Sequence, residues 1–129
     1  MSKNLPANLR YTEQHEWVKR DGAMAWIGIT DYAQEALGDI TFVELPAMDR
    51  EVQQGEEIVV VESTKAASDV YAPVSGKIVA VNSAVEDEPE RLNDDPFDQG
   101  WLVKIEVSDP SQVEALMSAE DYAKHIGSD

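Results

Sequence analysis

The feature that most constrains this fold is a series of short runs rich in β-branched residues, separated by turns that contain proline or glycine. Such runs favour β-strands, because branched side chains pack well on a pleated surface. The strongest strand signals lie at residues 40–45, 56–62, 68–71, 77–81 and 101–107. The last of these alternates, with Trp101, Val103, Ile105 and Val107 on one face and Lys104 and Glu106 on the other, as in a half-buried strand. Many short strands at near-even spacing are typical of a sandwich or barrel. The sequence therefore predicts a mainly β fold.

Turn and capping residues add a hairpin and short helices to this prediction. The Asp21-Gly22 pair predicts a tight turn in a hairpin over residues 17–27. A short amphipathic helix is expected with Asp31 as its N-cap and Gly38 at its end. Near the C-terminus, capping patterns predict one helix after Asp109-Pro110 and another turn of helix after Ser118, ended by Gly127.

The segment 82–100 is acidic, contains Pro89 and Pro96 and has few large apolar residues. These features predict a long solvated loop. Its carboxylates suggest a calcium site, but an EF-hand loop needs glycine at its sixth position. Counting from Asp94 places Gln99 there, so we expect no metal site and interpret the segment as a partner-facing loop.

Composition narrows the classes of function. With 129 residues and a net charge of −16, the chain is expected to form a single domain, 1–129, that binds neither nucleic acid nor an anionic membrane surface. The absence of cysteine excludes disulfides and cysteine-ligated metals. Its longest purely aliphatic run, 58–61, is too short to span a bilayer, and the N-terminal residues lack an apolar signal stretch. A cytoplasmic location is therefore expected.

The most informative segment is residues 56–73, where two β-branched strands flank Ser63-Thr64-Lys65-Ala66. The chain must reverse direction there, yet the reversal contains none of the glycine, asparagine or proline residues that turns usually need. It offers instead one lysine between small residues, which would hold an amine out where another protein can reach it. This layout is expected of a swinging-arm carrier, whose lysine amine is acylated.

Six stretches of the sequence form a pattern that extends from near residue 10 to beyond residue 105. These stretches are residues 15–18, 27–31, 42–46, 61–70, 73–76 and 100–105. In their order and spacing they resemble the H proteins of the glycine cleavage system, which are lipoyl carriers. The resemblance covers most of the chain.

The resemblance implies a barrel-sandwich hybrid of the lipoyl/biotinyl-like type, with short flanking helices that include a C-terminal helical segment. It implies that lipoic acid is attached to Lys65 as an amide, in the hairpin between two small antiparallel sheets. Recognition by a lipoate ligase or lipoyl transferase, and by partners, would then involve the neighbouring Glu62, Ser63, Thr64 and Ala66.

The resemblance also implies a non-catalytic function within a multienzyme system. Lipoyl-Lys65 would take the aminomethyl group of glycine from the P protein, a pyridoxal-phosphate glycine decarboxylase, to the T protein, an aminomethyltransferase. The L protein, dihydrolipoyl dehydrogenase, would then reoxidise the arm. Family members shelter the loaded arm in a cleft, and the matching cleft residues here are Glu16 and Asp69. The alternative for both is an ordinary solvated carboxylate on a strand.

Other classes of protein fit the residues less well. Biotin carriers place methionine on both sides of the modified lysine, whereas Thr64 and Ala66 occupy those positions here. Lipoyl domains of acyltransferases usually have aspartate before the lysine. An enzyme that uses Ser63 and Lys65 would need a buried lysine, and His15 suits a hydrogen-bonded structural role better than that of a base. A purely structural interaction module would leave the presented lysine unexplained.

Overall fold

The computed structural model describes residues 6–127. Residues 1–5 and 128–129 of the predicted domain lie outside the described residues, and so does most of the N-terminal stretch discussed above. Within the described range the chain forms nine β-strands: β1 Arg10–Tyr11, β2 Glu16–Asp21, β3 Met24–Ile29, β4 Ile40–Glu44, β5 Glu51–Val52, β6 Glu57–Ser63, β7 Ala67–Tyr71, β8 Gly76–Val81 and β9 Val103–Val107. Every strand predicted from the sequence is present, with small shifts at the ends.

Five short helices accompany these strands in the described part of the chain: α1 Asp31–Leu37, α2 Ala84–Asp87, α3 Arg91–Asp94, α4 Pro110–Glu114 and α5 Ala119–His125. The predicted caps Gly38, Asp109 and Ser118 are confirmed. The predicted N-cap Asp31 is wrong, because the Thr30 hydroxyl accepts the Ala33 amide and Asp31 is the first helical residue. Both residue types suit an N-cap, so the tertiary fold decides which one adopts the extended backbone.

The strands form two antiparallel sheets, which confirms the mainly β fold. The larger sheet has the order β1-β2-β3-β9-β8-β5, and the smaller has the order β4-β6-β7. The predicted hairpin joins β2 to β3, and Gly22 has the positive φ that its turn requires. In β9, Val103, Ile105 and Val107 are buried, as the alternation in the sequence predicts.

Two clusters of buried side chains hold these elements together. The main cluster fills the space between the sheets with branched aliphatic residues, among them Ile27, Val61 and Ile105. A second cluster joins Tyr11 and Trp17 to Tyr122 of α5, and the rings of Tyr11 and Tyr122 stack with centroids 4.9 Å apart. The C-terminal helix is thereby docked against the start of β2, where Glu16 lies.

Trp17 fixes β2 tightly against its neighbours. Its ring lies over Gly28, where an added Cβ would come within 2.6 Å of ring atoms, so only glycine fits there. Its indole Nε1 donates to the carbonyl of Pro96 at 2.8 Å. The segment that carries Pro96 is thereby tied to the same strand as Glu16.

The prediction of a long solvated loop over residues 82–100 is wrong. This segment contains α2 and α3, and Val85 and Leu92 are both buried in the main cluster. Each helix has only four residues, so neither has enough turns to give the repeating apolar pattern by which a helix is recognised. Each helix nevertheless contributes one buried apolar side chain to the core.

We expect Leu92→Ala to lower the free energy of unfolding by about 3 kcal/mol, because truncating a buried leucine leaves a cavity. Chemical denaturation of the full chain measures this change. Asp94→Ala, at an exposed position of the same helix, serves as the control and should alter stability by less than about 0.5 kcal/mol. Equal effects of the two substitutions would contradict the burial of this segment.

Candidate functional site

The hairpin between β6 and β7 carries Lys65 at its tip, with the side chain exposed. Ser63 closes the turn: its hydroxyl oxygen accepts the amides of Lys65 and Ala66, both at 3.1 Å. The backbone amide of Ser63 also donates to the carbonyl of Ala66 at 2.8 Å. The serine thus performs the task usually given to asparagine or glycine in a turn, a role that sequence reasoning missed although serine can form such turns.

The tip rests on the chain between α1 and β4. The Thr64 amide donates to the carbonyl of Asp39 at 3.1 Å. Gly38, with a φ of +84°, leaves room for the lysine, since a Cβ added there would lie 3.1 Å from the Lys65 Cε. Lys65 therefore extends from an ordered turn and lies against a neighbouring loop.

The other residues predicted to surround Lys65 lie where the sequence places them. Glu62, Thr64 and Ala66 are exposed, and Ser63 is half-buried. The side chains of Glu62, Thr64 and Ala66 are therefore accessible to a second protein. Small side chains on both sides of the lysine leave its amine unobstructed.

Glu16 is buried, with an exposed fraction of 2%. Its Oε1 accepts the Thr12 hydroxyl at 2.6 Å, and its Oε2 accepts the Tyr71 amide of β7 at 3.1 Å. Burial raises the pKa of Glu16, and these two hydrogen bonds oppose that rise. The alternative of a solvated strand carboxylate is therefore wrong for this residue.

A cavity of about 340 Å³ opens beside Glu16. It lies between the start of β2, the end of β7 and the segment that leads into α5, and its lining includes Glu16, Gln14, Tyr71 and Met117. The cavity and the lysine hairpin lie at opposite ends of β7, because β7 begins beside the tip and ends at Tyr71.

Asp69 is exposed and lies in β7, between the hairpin and Tyr71. Residues two apart on a strand point to the same side, so Asp69 and Tyr71 share one side of β7. The structure thus brings Glu16 to the cavity itself, whereas Asp69 lies on the surface along the strand that leads there.

His15 belongs to a hydrogen-bonded network behind Glu16. Its Nδ1 lies 2.8 Å from the Tyr122 hydroxyl, which lies 2.8 Å from the Thr30 hydroxyl. Burial, and secondarily the nearby His125, lower the pKa of His15, while burial raises the pKa of Tyr122 to about 12. These contacts hold α5 against the start of β2, which fits the structural role expected for His15.

No group of three histidine, aspartate or glutamate side chains lies close enough to hold a metal ion among residues 6–127. Over the same residues, no helix has both the length and the apolar character needed to cross a membrane.

Comparison with known proteins decides the family. A family model described as "Glycine cleavage H-protein" matches residues 9–129. The chain belongs to the glycine cleavage H-protein family. The glycine cleavage system H protein of Chromohalobacter salexigens is 54% identical over 120 residues, covering 92% of this chain and 92% of the relative. That of Carboxydothermus hydrogenoformans is 51% identical over 120 residues, covering 93% and 92%.

A solved structure agrees with this assignment. The crystal structure of a glycine cleavage system H protein from Mycobacterium marinum matches with a TM-score of 0.87 and 41% identity, covering 95% of this chain and 99% of that one. The predicted barrel-sandwich hybrid is confirmed. As an H protein of the glycine cleavage system, the chain is a carrier subunit and not a catalyst.

The raised pKa of Glu16 predicts a pH-dependent effect of Glu16→Gln on stability. When burial raises a carboxyl pKa in the folded state, the resulting stability is present below the unfolded pKa and is lost as pH rises through the folded pKa. The Glu16→Gln variant does not lose stability in this way, because glutamine does not titrate. Its free energy of unfolding relative to the wild type should therefore increase from about pH 4.3 upward, before levelling off above the folded pKa.

Urea denaturation at a series of pH values measures this difference. Glu13→Gln, at an exposed position three residues earlier, is the control and should show a smaller dependence on pH. A difference between Glu16→Gln and wild type that stays constant over the series would contradict the buried environment of this carboxylate.

Proposed function

We propose that Lys65 carries lipoic acid as an amide and that the chain takes the aminomethyl group of glycine from the P protein to the T protein, with reoxidation by the L protein. A lipoate ligase or lipoyl transferase would attach the group, and the cytoplasm is the proposed location. The observation that carries this proposal is the exposed Lys65 at the tip of an ordered hairpin in a member of the H-protein family.

The residues around Lys65 suit a covalently attached group. The Ser63 hydroxyl satisfies the two tip amides from within the turn, so the turn does not depend on the lysine side chain. The lysine amine is free to form an amide, and its exposed neighbours Glu62, Thr64 and Ala66 offer a surface for the attaching enzyme. When bound, the lipoyl group supplies the reactive sulfurs, and the protein supplies tethering and orientation.

The cavity beside Glu16 is the proposed shelter for the loaded arm. Five residue steps from Ala66 to Tyr71 correspond to roughly 16 Å of extended strand, so an arm laid along β7 would pass Asp69 before reaching the cavity. A carboxylate there would bind a cationic amine through a charge-assisted hydrogen bond. Glu16 is held in place for this role by Thr12 and Tyr71, and Asp69 would contact the arm nearer its origin.

Tethering explains why a carrier without catalysis of its own is useful. A group held on a short flexible link meets each enzyme at an effective concentration on the order of millimolar. Carriage on a tether also keeps a labile group from being released into solution between enzymes. The chain would thus contribute through the position of Lys65, while the chemistry remains with its partners.

Lys65→Arg should keep the fold and abolish modification, because a guanidinium cannot replace the lysine amine in the acylation. The purified chain would be incubated with lipoate, ATP and a lipoate ligase, and intact mass and peptide mapping would locate any lipoyl-sized gain. Lys124→Arg, which alters an exposed lysine of α5, is the matched control and should be modified like the wild type.

A parallel incubation with biotin and its ligase tests the biotin-carrier alternative. A lipoyl-sized gain on the Lys65→Arg variant, or residual glycine cleavage when that variant replaces the wild type in a reconstituted assay, would contradict the proposal. So would a gain that maps to another lysine in the wild type.

The net charge of −16 predicts that binding to the P and T proteins weakens with salt. Screening shortens the range of charge interactions to about 3 Å at 1 M salt. We expect the Kd for each partner to rise as sodium chloride is increased from about 0.05 M to about 0.5 M, measured by calorimetry. Affinities that do not change over this range would show that docking does not depend on charge.

A further inference from the structure

The loop on which Lys65 rests is held by Asn93, a residue of the acidic segment 82–100. We call residues 38–40, which run from the C-cap of α1 to the first residue of β4, the ledge. The ledge contacts the hairpin tip at three points: the Asp39 carbonyl accepts the Thr64 amide at 3.1 Å, Ile40 pairs with Ser63 between β4 and β6, and Gly38 lies beside the Lys65 side chain. Any shift of the ledge would therefore move the surface against which the lysine lies.

Asn93 of α3 binds both ends of the ledge. Its Oδ1 accepts the Ile40 amide at 2.9 Å, and its Nδ2 donates to the Gly38 carbonyl at 2.9 Å. The same Nδ2 donates to the Gln34 side chain of α1 at 2.8 Å. One side chain thus satisfies the last carbonyl of the α1 cap and the first amide of β4.

These contacts add side-chain restraints to a backbone that is also held by the pairing of Ile40 with Ser63. Gly38 has a φ of +84°, and its amide donates to the carbonyl of Gln34 at 2.9 Å to end α1. Ile40 is buried, and a buried amide without a partner is costly. Asn93 is therefore the side chain whose hydrogen bonds fix where Asp39 presents its carbonyl to Thr64.

We propose that Asn93 is a positioning residue for the modification of Lys65: it holds the ledge, and the ledge sets the conformation in which the hairpin tip meets the attaching enzyme. This inference rests on the proposed function. It gives the acidic segment a specific task, since α3 brings Asn93 to the ledge while Leu92 of the same helix is buried in the core.

Loss of the ledge would lower the fraction of molecules whose hairpin tip has the conformation that the attaching enzyme binds. When only a fraction of molecules has the competent conformation, the apparent dissociation constant rises by the inverse of that fraction. Loss of the ledge should therefore raise the KM of the ligase for the protein and leave kcat nearly unchanged. A residue that acted only on global stability would alter neither constant while the chain stays folded.

Asn93→Asp tests the role with little change of shape. The variant keeps an acceptor for the Ile40 amide but places an oxygen opposite the Gly38 carbonyl. Asn82→Asp is the matched control, because the Asn82 Nδ2 also donates to two carbonyls, those of Gln99 and Trp101, both at 2.8 Å, and neither belongs to the ledge. Asn82 is the more buried of the two, so Asn82→Asp should lose at least as much stability as Asn93→Asp.

Two measurements on the full-length apo chain are compared for wild type and both variants. The first is the steady-state rate of modification by a lipoate ligase with lipoate and ATP, for which we expect Asn93→Asp to raise KM roughly tenfold. The second is the exchange rate of the Thr64 amide, followed by nuclear magnetic resonance, which should rise about fivefold to tenfold in the same variant. Asn82→Asp should leave both values near those of wild type.

The outcomes separate this inference from the proposed function. If wild type is modified on Lys65 and the two variants have the same KM and the same Thr64 exchange rate, the positioning role of Asn93 is overturned and the proposed function stands. A fall in kcat with unchanged KM would likewise overturn it. If wild type is not modified at all, the proposed function fails together with the role of Asn93 in modification, and the Thr64 exchange rates still report whether Asn93 orders the tip.

Discussion

The buried carboxylate of Glu16 joins the two sheets at the place where the cavity opens. It lies at the start of β2 in the larger sheet and accepts the amide of Tyr71 at the end of β7 in the smaller one. A carboxylate loses its hydration on burial, and hydrogen bonds must offset that cost. Thr12 and Tyr71 provide them, so this group ties the end of β7 to the start of β2 beside the cavity.

The hairpin at the other end of β7 combines a rigid turn with an accessible amine. Ser63 and the ledge order the backbone around Lys65, while the lysine side chain remains exposed. This arrangement suits a carrier, because the attaching enzyme must recognise a defined shape and the attached arm must afterwards move. Ordering the backbone lowers the entropic cost of recognition without restricting the arm.

The seven longer strands, the β2–β3 turn and the exposed lysine were predictable because they depend on local pattern, whereas the two-residue strands β1 and β5 were not predicted. Alternation in β9 and the Asp21-Gly22 pair report directly on burial and on backbone geometry. The segment 82–100 was not predictable as helix, since α2 and α3 each bury a single apolar residue and are too short to show a period. Whether Thr30 or Asp31 caps α1 was also beyond local reasoning, because either side chain can do so.

The candidate site likewise has one part that the sequence predicts and another that only the folded chain brings together. Residues 62–66 are contiguous, so the composition of one turn is enough to predict a presented lysine. Glu16, Tyr71 and Asn93 are far apart in the chain, and their pairing depends on which amides the folded sheets leave without partners. The sequence by itself determined the longer strands, the family and the presented lysine. The tertiary structure alone decided that Glu16 is buried beside a cavity and that Asn93 supports the ledge, because long-range hydrogen bonds leave no local pattern.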